Sequence, residues 1–518
     1  MLQGTLPEGT VLCADAALPP RFNAAEWFVG RHVAEGRGAR VALETDDGTL
    51  TYAQLDVLVR GFAAYLRLRG LHAGERVAII LPDCLTFAVA FWGAVAAGCV
   101  AVPLNPLLTA ADLRAILEDC GARMIVGEDC KDGVALVPDD AECVGEADAL
   151  MRAGEATPVT AYAPTHRDAL AFFLYSSGTT GEPKGVVHLQ HDMWVCARTY
   201  AEQVLRITPD DRAFSIAKLF FAYGLGNALY FPNDVGAACV LYRGRPLPDA
   251  IFQQVSAHRP TLFFGVPSAY ALMLAAMDDG APYDFSSVRA CVSAGEALPP
   301  GIFQRWRERT GLEITDGIGS TEILHIFLSN TPGDCTPGSS GRAVPGYEVK
   351  IVDEAGAECG TDAVGDLLVR GDSTMAFYWN KHERTKATLN GEWIRTGDKY
   401  RRDAQGRYWH AGRSDDMLKV GGIWVSPVEV EGVVALHEAV LECAVVGRPD
   451  VDGLTKPHAY VVLKAPRDES EMAAELKTFV KSRLAPYKYP RWISVVDALP
   501  KTATGKTQRF VLRSRTEA

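Results

Sequence analysis

The chain has 518 residues, 48% of them apolar and 22% charged, which is material for more than one hydrophobic core and unlike a disordered or fibrous chain. Fifty-two basic residues against 64 acidic ones leave a net charge of −12. This argues against a general nucleic-acid binder, whose footprint is basic, and leaves open small anions held by local donors.

Twelve cysteines without a C-x-x-C pair are too sparse for a disulfide scaffold and predict free thiols in a reducing cytosol. The first twenty residues, MLQGTLPEGTVLCADAALPP, lack the basic and apolar regions of a signal peptide.

Thr51 is placed to cap a helix with Gln54 as its capping-box partner. Leu55, Leu58, Phe62 and Leu66 follow at helical spacing, and Gly70 can end the helix. The run VAIIL at 77–81 has the continuous apolar character of a strand buried on both faces. Residues 84–111 carry no charge, a length that could span a bilayer. However, Gly93, Gly98, Pro103 and Pro106 interrupt the segment, and no Lys/Arg cluster sets an orientation. A buried helix at 85–97 followed by a strand at 100–103 fits better. The alternation continues with a helix at 110–119 and a strand at 123–126, which implies βαβ units and a parallel sheet covered by helices on both sides. Residues 335–400 are rich in Gly, Asp and Thr, with short alternating runs at Tyr347–Val352 and Asp366–Val369, and predict a small antiparallel or barrel-like unit. A compact α+β pattern closes the chain, and a helix near 470–484 presents Met472, Leu476, Phe479, Val480 and Leu484 on one face.

The segment YSSGTTGEPKG at 175–185 follows an apolar strand, AFFL at 171–174. Glycines let backbone N–H groups approach phosphate oxygens, and hydroxyls add donors. Taken alone, such a stretch is more often a surface loop. It is not a Walker A loop, and the only GKT, Gly505-Lys506-Thr507, has Pro500 where the first glycine belongs. P-loop ATPases and most nucleotide kinases are thereby excluded. Five further strings follow in order: SAGEALP (293–299), DGIGSTE (316–322), WIRTGD (393–398), GRSDDMLKVGG (412–422) and PKTATGK (500–506). Together the six resemble the signature set of the adenylate-forming superfamily, which comprises acyl-CoA synthetases, peptide-synthetase adenylation domains and beetle luciferases. The resemblance spans about residues 40–509.

The chemistry accounts for these residue types. A carboxylate is a poor electrophile, and transfer to AMP supplies a leaving group. The step is chiefly positioning and charge stabilisation at the α-phosphorus of ATP. The resemblance implies that Ser176, Ser177, Gly178, Thr179, Thr180 and Gly181 cradle the departing pyrophosphate, with Lys184 adding charge. It implies Glu322 as the Mg²⁺ ligand and Thr321 on the phosphate. Gly295, Glu296 and Ala297 would line the adenine pocket, facing Asp316, Gly317, Ile318 and Gly319. Ile318 stands where many relatives have an aromatic, so the purine contact there is aliphatic. Asp398 would accept from the ribose hydroxyls, and Arg413 would reach the same sugar. Lys506 would bridge the substrate carboxylate and the α-phosphate. Asp415 falls at the family's hinge, and Gly421 and Gly422 would line the path of CoA. The implied fold is a large N-terminal domain, 1–413, of doubly wound sheets with the β-rich subdomain at about 335–410, followed by a small mobile α+β domain, 414–518, that delivers Lys506.

FFAYGLGN (220–227) and LHIFLSN (324–330) resemble benzoate-CoA ligases and their hydroxybenzoate relatives. By that resemblance Ala222, Tyr223, Gly317, His325 and Ile326 surround an aromatic ring in a short flat slot. His188 and His191 form an H-x-x-H pair without a further ligand set, and read as surface residues at a helix start. The expectation is a cytoplasmic aryl-CoA ligase that uses ATP, Mg²⁺ and coenzyme A and makes benzoyl-CoA through benzoyl-AMP. Its partners are small molecules, with neither nucleic acid nor membrane, and a homodimer is left open. Alternatives are a ligase preferring a hydroxy-, amino- or halobenzoate, transfer of the acyl group to a carrier protein, and a non-catalytic nucleotide- or CoA-binding relative.

Overall fold

The computed structural model describes residues 6–7, 10–128, 141–177, 183–413, 416–420, 423–450, 454–485, 488–501 and 507–514. Two large sheets dominate it. In the seven-stranded sheet, Arg76–Ile80 pairs in parallel with Val100–Pro103 and Ala122–Gly127, and Val100–Pro103 pairs in parallel with Leu170–Ser177. The edge then turns antiparallel through Pro183–Leu189 and Phe377–Tyr378. In the nine-stranded sheet the strands Val41–Thr45, Ala238–Val240, Arg212–Ser215, Leu262–Gly265, Ala290–Ser293 and Ile314–Gly319 are parallel neighbours. Antiparallel strands Gly48–Thr51, Ile326–Ser329 and Arg342–Ala343 finish its two ends.

The continuous apolar runs have a direct cause. Successive side chains of a strand point to opposite faces, and here both faces are covered. Val77, Ile79 and Phe172 enter a large core shared with Leu262 and Phe264 of the other sheet. Ala78 and Phe173 face a separate cluster beneath the helix Ala110–Cys120, and Phe263 faces another with Tyr270 and Trp306. The uncharged segment is the helix Leu85–Ala97, buried from Thr86 onward within the shared core. Among the described residues no helix is long and apolar enough to cross a membrane. The capping box at Thr51 is present, with Gln54 N–H donating to Thr51 and Gln54 Oε1 accepting from Thr51 N–H. The helix it starts, Tyr52–Leu68, ends two residues before Gly70.

A five-stranded antiparallel sheet contains Glu348–Val352, Gly365–Arg370, Leu389–Asn390, Trp393–Arg402 and Tyr408–Arg413. The Tyr408 hydroxyl reaches across it to the Val349 carbonyl at 3.1 Å. The closing α+β unit has Val440–Pro449, Thr455–Leu463 and Trp492–Val495 in one sheet. Its helix Glu469–Lys481 buries Met472, Leu476 and Val480. Phe479, expected on that face, is half-buried against the His437 ring instead, and Leu484 lies beyond the helix end. Cys143 is disulfide-bonded, contrary to the expectation of free thiols throughout, while every other described cysteine is free.

Candidate active site

The strands Leu170–Ser177 and Pro183–Leu189 place Ser176 opposite Lys184 and Ser177 opposite Pro183. Gly178, Thr179, Thr180 and Gly181 lie outside the described residues. The Lys184 ammonium sits over the Tyr378 ring, 4.9 Å from its centroid. Burial lowers its pKa, and the charge of Glu322 opposes that shift. Tyr378 in turn donates its hydroxyl to Glu322 Oε1 at 2.7 Å. A cation and a carboxylate therefore share one tyrosine, and strand pairing between Phe377–Tyr378 and Pro183–Leu189 brings Tyr378 to Lys184.

Glu322 belongs to the short turn Thr321–Ile323 between the strands Ile314–Gly319 and Ile326–Ser329. Its carbonyl accepts from Met375 N–H at 2.7 Å. Leu324, which follows the turn, has φ of 73°, a conformation that costs a non-glycine residue energy and persists only where its surroundings hold it. Among the described residues there is no cluster of three His, Cys, Asp or Glu side chains suited to a metal. One half-buried carboxylate is what Mg²⁺ needs when nucleotide phosphates and water complete its shell, so Glu322 fits that ion.

The strand Ile314–Gly319 sets Asp316 beside Ser293 in parallel register. Across its other edge Gly317, Ile318 and Gly319 oppose Ser329, Leu328 and Ile326. A Cβ at Gly319 would stand 2.5 Å from the His325 carbonyl, so only glycine fits this close approach. Asp316 is buried, and burial holds its carboxyl well above the usual carboxylate range; its Oδ1 lacks a hydrogen-bond partner among the described residues. Gly295, Glu296 and Ala297 follow the neighbouring strand Ala290–Ser293, on the side of the sheet end where Asp316 to Gly319 also finish. Asp398 and Arg413 lie directly opposite each other on paired strands. A Cβ on Gly397 would be 3.1 Å from the Arg413 guanidinium, so that side chain folds back along the Asp398 turn.

Tyr223 and His325 come together although a hundred residues separate them, and Ile326 lies against Gly317 on the paired strand. His325 is buried between rings: centroids lie 4.5 Å away for Phe231, 5.3 Å for Tyr200 and 5.6 Å for Tyr223. Its Nε2 bonds Asn227 Oδ1 at 3.1 Å and the Tyr223 carbonyl at 3.3 Å. Those acceptors place the proton on Nε2 and leave Nδ1 as a bare acceptor, which has no partner among the described residues. Burial pushes the His325 pKa down to about 3. Gly226 makes room for this ring, since a Cβ there would meet His325 Cδ2 at 2.5 Å. Residues Gly226–Tyr230 form a π-helical turn, a device that recurs at functional sites.

His188 and His191 are not surface residues. His188 is fully buried and His191 nearly so, because the strand Pro183–Leu189 runs inside the sheet, between Leu170–Ser177 and Phe377–Tyr378. Tyr378, Asn227, Tyr200 and Phe231 escaped the sequence reading. Asn227 was within reach, four residues after Tyr223 on a helical repeat; nothing local marks the other three. Lys506, Asp415, Gly421 and Gly422 lie outside the described residues.

The AMP-binding enzyme family matches residues 30–379, and the AMP-binding enzyme C-terminal domain matches residues 429–506. The chain is 48% identical over 515 residues to the benzoate–CoA ligase of Thauera aromatica, covering 96% of this chain and 97% of that one. It is 42% identical over 511 residues to a 4-hydroxybenzoate–CoA/benzoate–CoA ligase of Rhodopseudomonas palustris, covering 96% and 94%. The crystal structure of the anthranilate CoA ligase AuaEII in complex with anthranoyl-AMP superposes with a TM-score of 0.91 at 40% identity, over 97% of this chain and 98% of that one. With its motifs, its sheets and these relatives in agreement, the chain belongs to the AMP-binding enzyme family, as a ligase of the adenylate-forming superfamily in the benzoate-CoA ligase subfamily.

Proposed function

We propose that the protein is an ATP-dependent aryl-CoA ligase that converts benzoate, ATP and CoA to benzoyl-CoA, AMP and pyrophosphate through benzoyl-AMP. The observation that carries this reading is the meeting of Lys184, Tyr378 and Glu322, with Lys184 following the Gly/Thr segment in sequence. In the first half-reaction a carboxylate oxygen bonds to the α-phosphorus and the bond to pyrophosphate breaks. Lys184 and the backbone of the Gly/Thr segment receive the departing charge, and Lys506 spans the carboxylate and the α-phosphate. Glu322 would hold Mg²⁺, which would supply neutralisation of phosphate charge. Asp316 to Gly319 and Gly295 to Ala297 hold the adenine, while Asp398 and Arg413 hold the ribose. In the second half-reaction the CoA thiolate attacks the acyl carbon and AMP leaves. We place the domain boundary at 413–414, with Asp415 as the hinge and Gly421 and Gly422 on the CoA path.

The aryl slot rests on Tyr223, His325 and Ile326, with Ala222 and Gly317 completing it. A flat ring suits aromatic walls, and the neutral His325 adds no charge to repel or bind a second acid group. One feature favours a substituted benzoate as the better substrate. His325 Nδ1 is a buried polar atom with no partner among the described residues, and a ring hydroxyl or amine would satisfy it. The site is tested by AMP release over benzoate, its 2-, 3- and 4-hydroxy and amino forms, cinnamate and octanoate. Benzoates in the lead support the aryl reading, and octanoate in the lead removes it. We further assign the enzyme to the cytosol, where ATP and CoA are at hand, and a homodimer is the assembly to weigh by sedimentation.

A further inference from the structure

The H-x-x-H pair finds a use in the folded chain. The His188 ring is stacked on Phe172, with centroids 5.1 Å apart. Its Nδ1 faces Asp192 Oδ2 at 2.7 Å, and both side chains are fully buried. Asp192 is pinned as well, since Oδ2 accepts from Leu189 N–H at 3.1 Å and Oδ1 lies 3.2 Å from His191 Nε2. On its other edge His188 Nε2 meets the Thr321 carbonyl at 2.8 Å. Both ring nitrogens thus face an acceptor oxygen, and the two contacts fix the orientation of the ring. The Thr321 carbonyl also accepts from Leu324 N–H at 3.1 Å, the bond that closes the turn ending in the positive-φ leucine. His188 thus braces the strained turn from which Glu322 projects.

We propose that His188, oriented by Asp192, is a positioning residue for adenylation: through the Thr321 carbonyl it holds the Glu322 carboxylate where metal and nucleotide are received. The inference rests on the reading of Glu322 as the Mg²⁺ ligand. Groups that orient a metal ligand typically cost about 10–100-fold in metal affinity or activity when removed. The thioester step, which needs no bound pyrophosphate or metal carboxylate, should be spared.

Two amides separate the two edges of the ring. His188→Asn can reach Asp192 but not Thr321, whereas His188→Gln offers its amide near the Nε2 position. Binding of Mn²⁺ to each variant with an α,β-methylene ATP analogue is followed by electron paramagnetic resonance. Pyrophosphate release and thioester formation from supplied benzoyl-AMP are measured beside it. His188→Asn should bind Mn²⁺ about tenfold more weakly and adenylate correspondingly more slowly, His188→Gln should recover most of the loss, and thioester formation should stay within about twofold. If His188→Asn fails to fold, Asp192→Asn tests the same brace from the other side. Normal Mn²⁺ binding in these variants, or equal loss in both half-reactions, overturns the proposal. Glu322→Gln is the control: if it too binds Mn²⁺ normally, the metal reading itself falls, and if it alone loses Mn²⁺, only the role of His188 falls.

Discussion

The hydroxyl of Tyr378 donates to Oε1 of Glu322 at 2.7 Å, across 56 residues of sequence and between two different sheets. Burial, then the Glu322 charge, raises the phenol pKa, so the tyrosine stays a donor. Tyr378→Phe keeps the ring under Lys184 and deletes only that bond. A hydrogen bond to a charged group is worth about 1.5–3 kcal/mol. Because Glu322 is only half-buried, the lower end applies, roughly tenfold in rate. We expect adenylation to slow by that factor and to need more Mg²⁺, with an unchanged melting temperature. An unaltered Mg²⁺ dependence would separate Tyr378 from the carboxylate's function.

Lys506→Ala should abolish most of the adenylation step and spare transfer from supplied benzoyl-AMP to CoA. In the proposed mechanism its charge is needed only where carboxylate meets α-phosphate. Loss of one pre-organised contact of this kind costs on the order of 10²–10³ in rate. Equal losses in the two half-reactions, measured separately, would assign the lysine another role.

Asp415→Pro fixes φ at the proposed hinge. Pyrophosphate release should continue while thioester formation drops steeply, because the C-terminal unit can no longer rotate. Parent-like rates in both assays would move the hinge to Ser414 or Asp416. Asp416 already receives Arg513 and, at 3.8 Å, Arg509.

His325→Ala removes a ring from the proposed aryl wall. An apolar slot discriminates by only about 1–3 kcal/mol per methylene, so exclusion of longer acids depends on closure at this wall. The variant should gain relative rate on para-substituted benzoates and lose less on benzoate. Should the parent prefer hydroxybenzoates, the same change should cut their turnover most, through loss of the Nδ1 acceptor. A substrate ranking that does not change would remove His325 from the pocket.

Because burial lowers the His325 pKa to about 3 from its ordinary 6.5, the unfolded chain binds a proton there before the folded one does. Stability from this group is complete above pH 6.5 and is lost as pH falls toward 3, with a slope of at most about 1.4 kcal/mol per pH unit. His325→Gln keeps a donor for Asn227 and does not titrate. Urea unfolding between pH 7 and pH 4 should fall more steeply for the parent than for this variant. His32, lowered to about 4 by burial, contributes equally to both. Parallel curves would mean that the ring is not desolvated as the fold implies.

Local chemistry made much of this protein legible from its residues alone. The capping box at Thr51, the helix Leu85–Ala97 and the run at 77–80 depend on contacts within a few positions, or on burial that hydropathy reports directly. The motifs, too, are contiguous, so their order exposes the family before any coordinate is known. What tertiary structure decided are relationships with no sequence period. His188 looked like a polar residue at a helix start, and is buried because its strand runs inside the sheet and its ring stacks on Phe172. Tyr378 meets Glu322 because a two-residue strand adds to the edge of the seven-stranded sheet. Tyr200 and Phe231 reach His325 from separate helices. In each case a side chain gains its role from a partner brought within hydrogen-bonding or van der Waals range by packing of distant elements, and that proximity is set by the filling of the shared core.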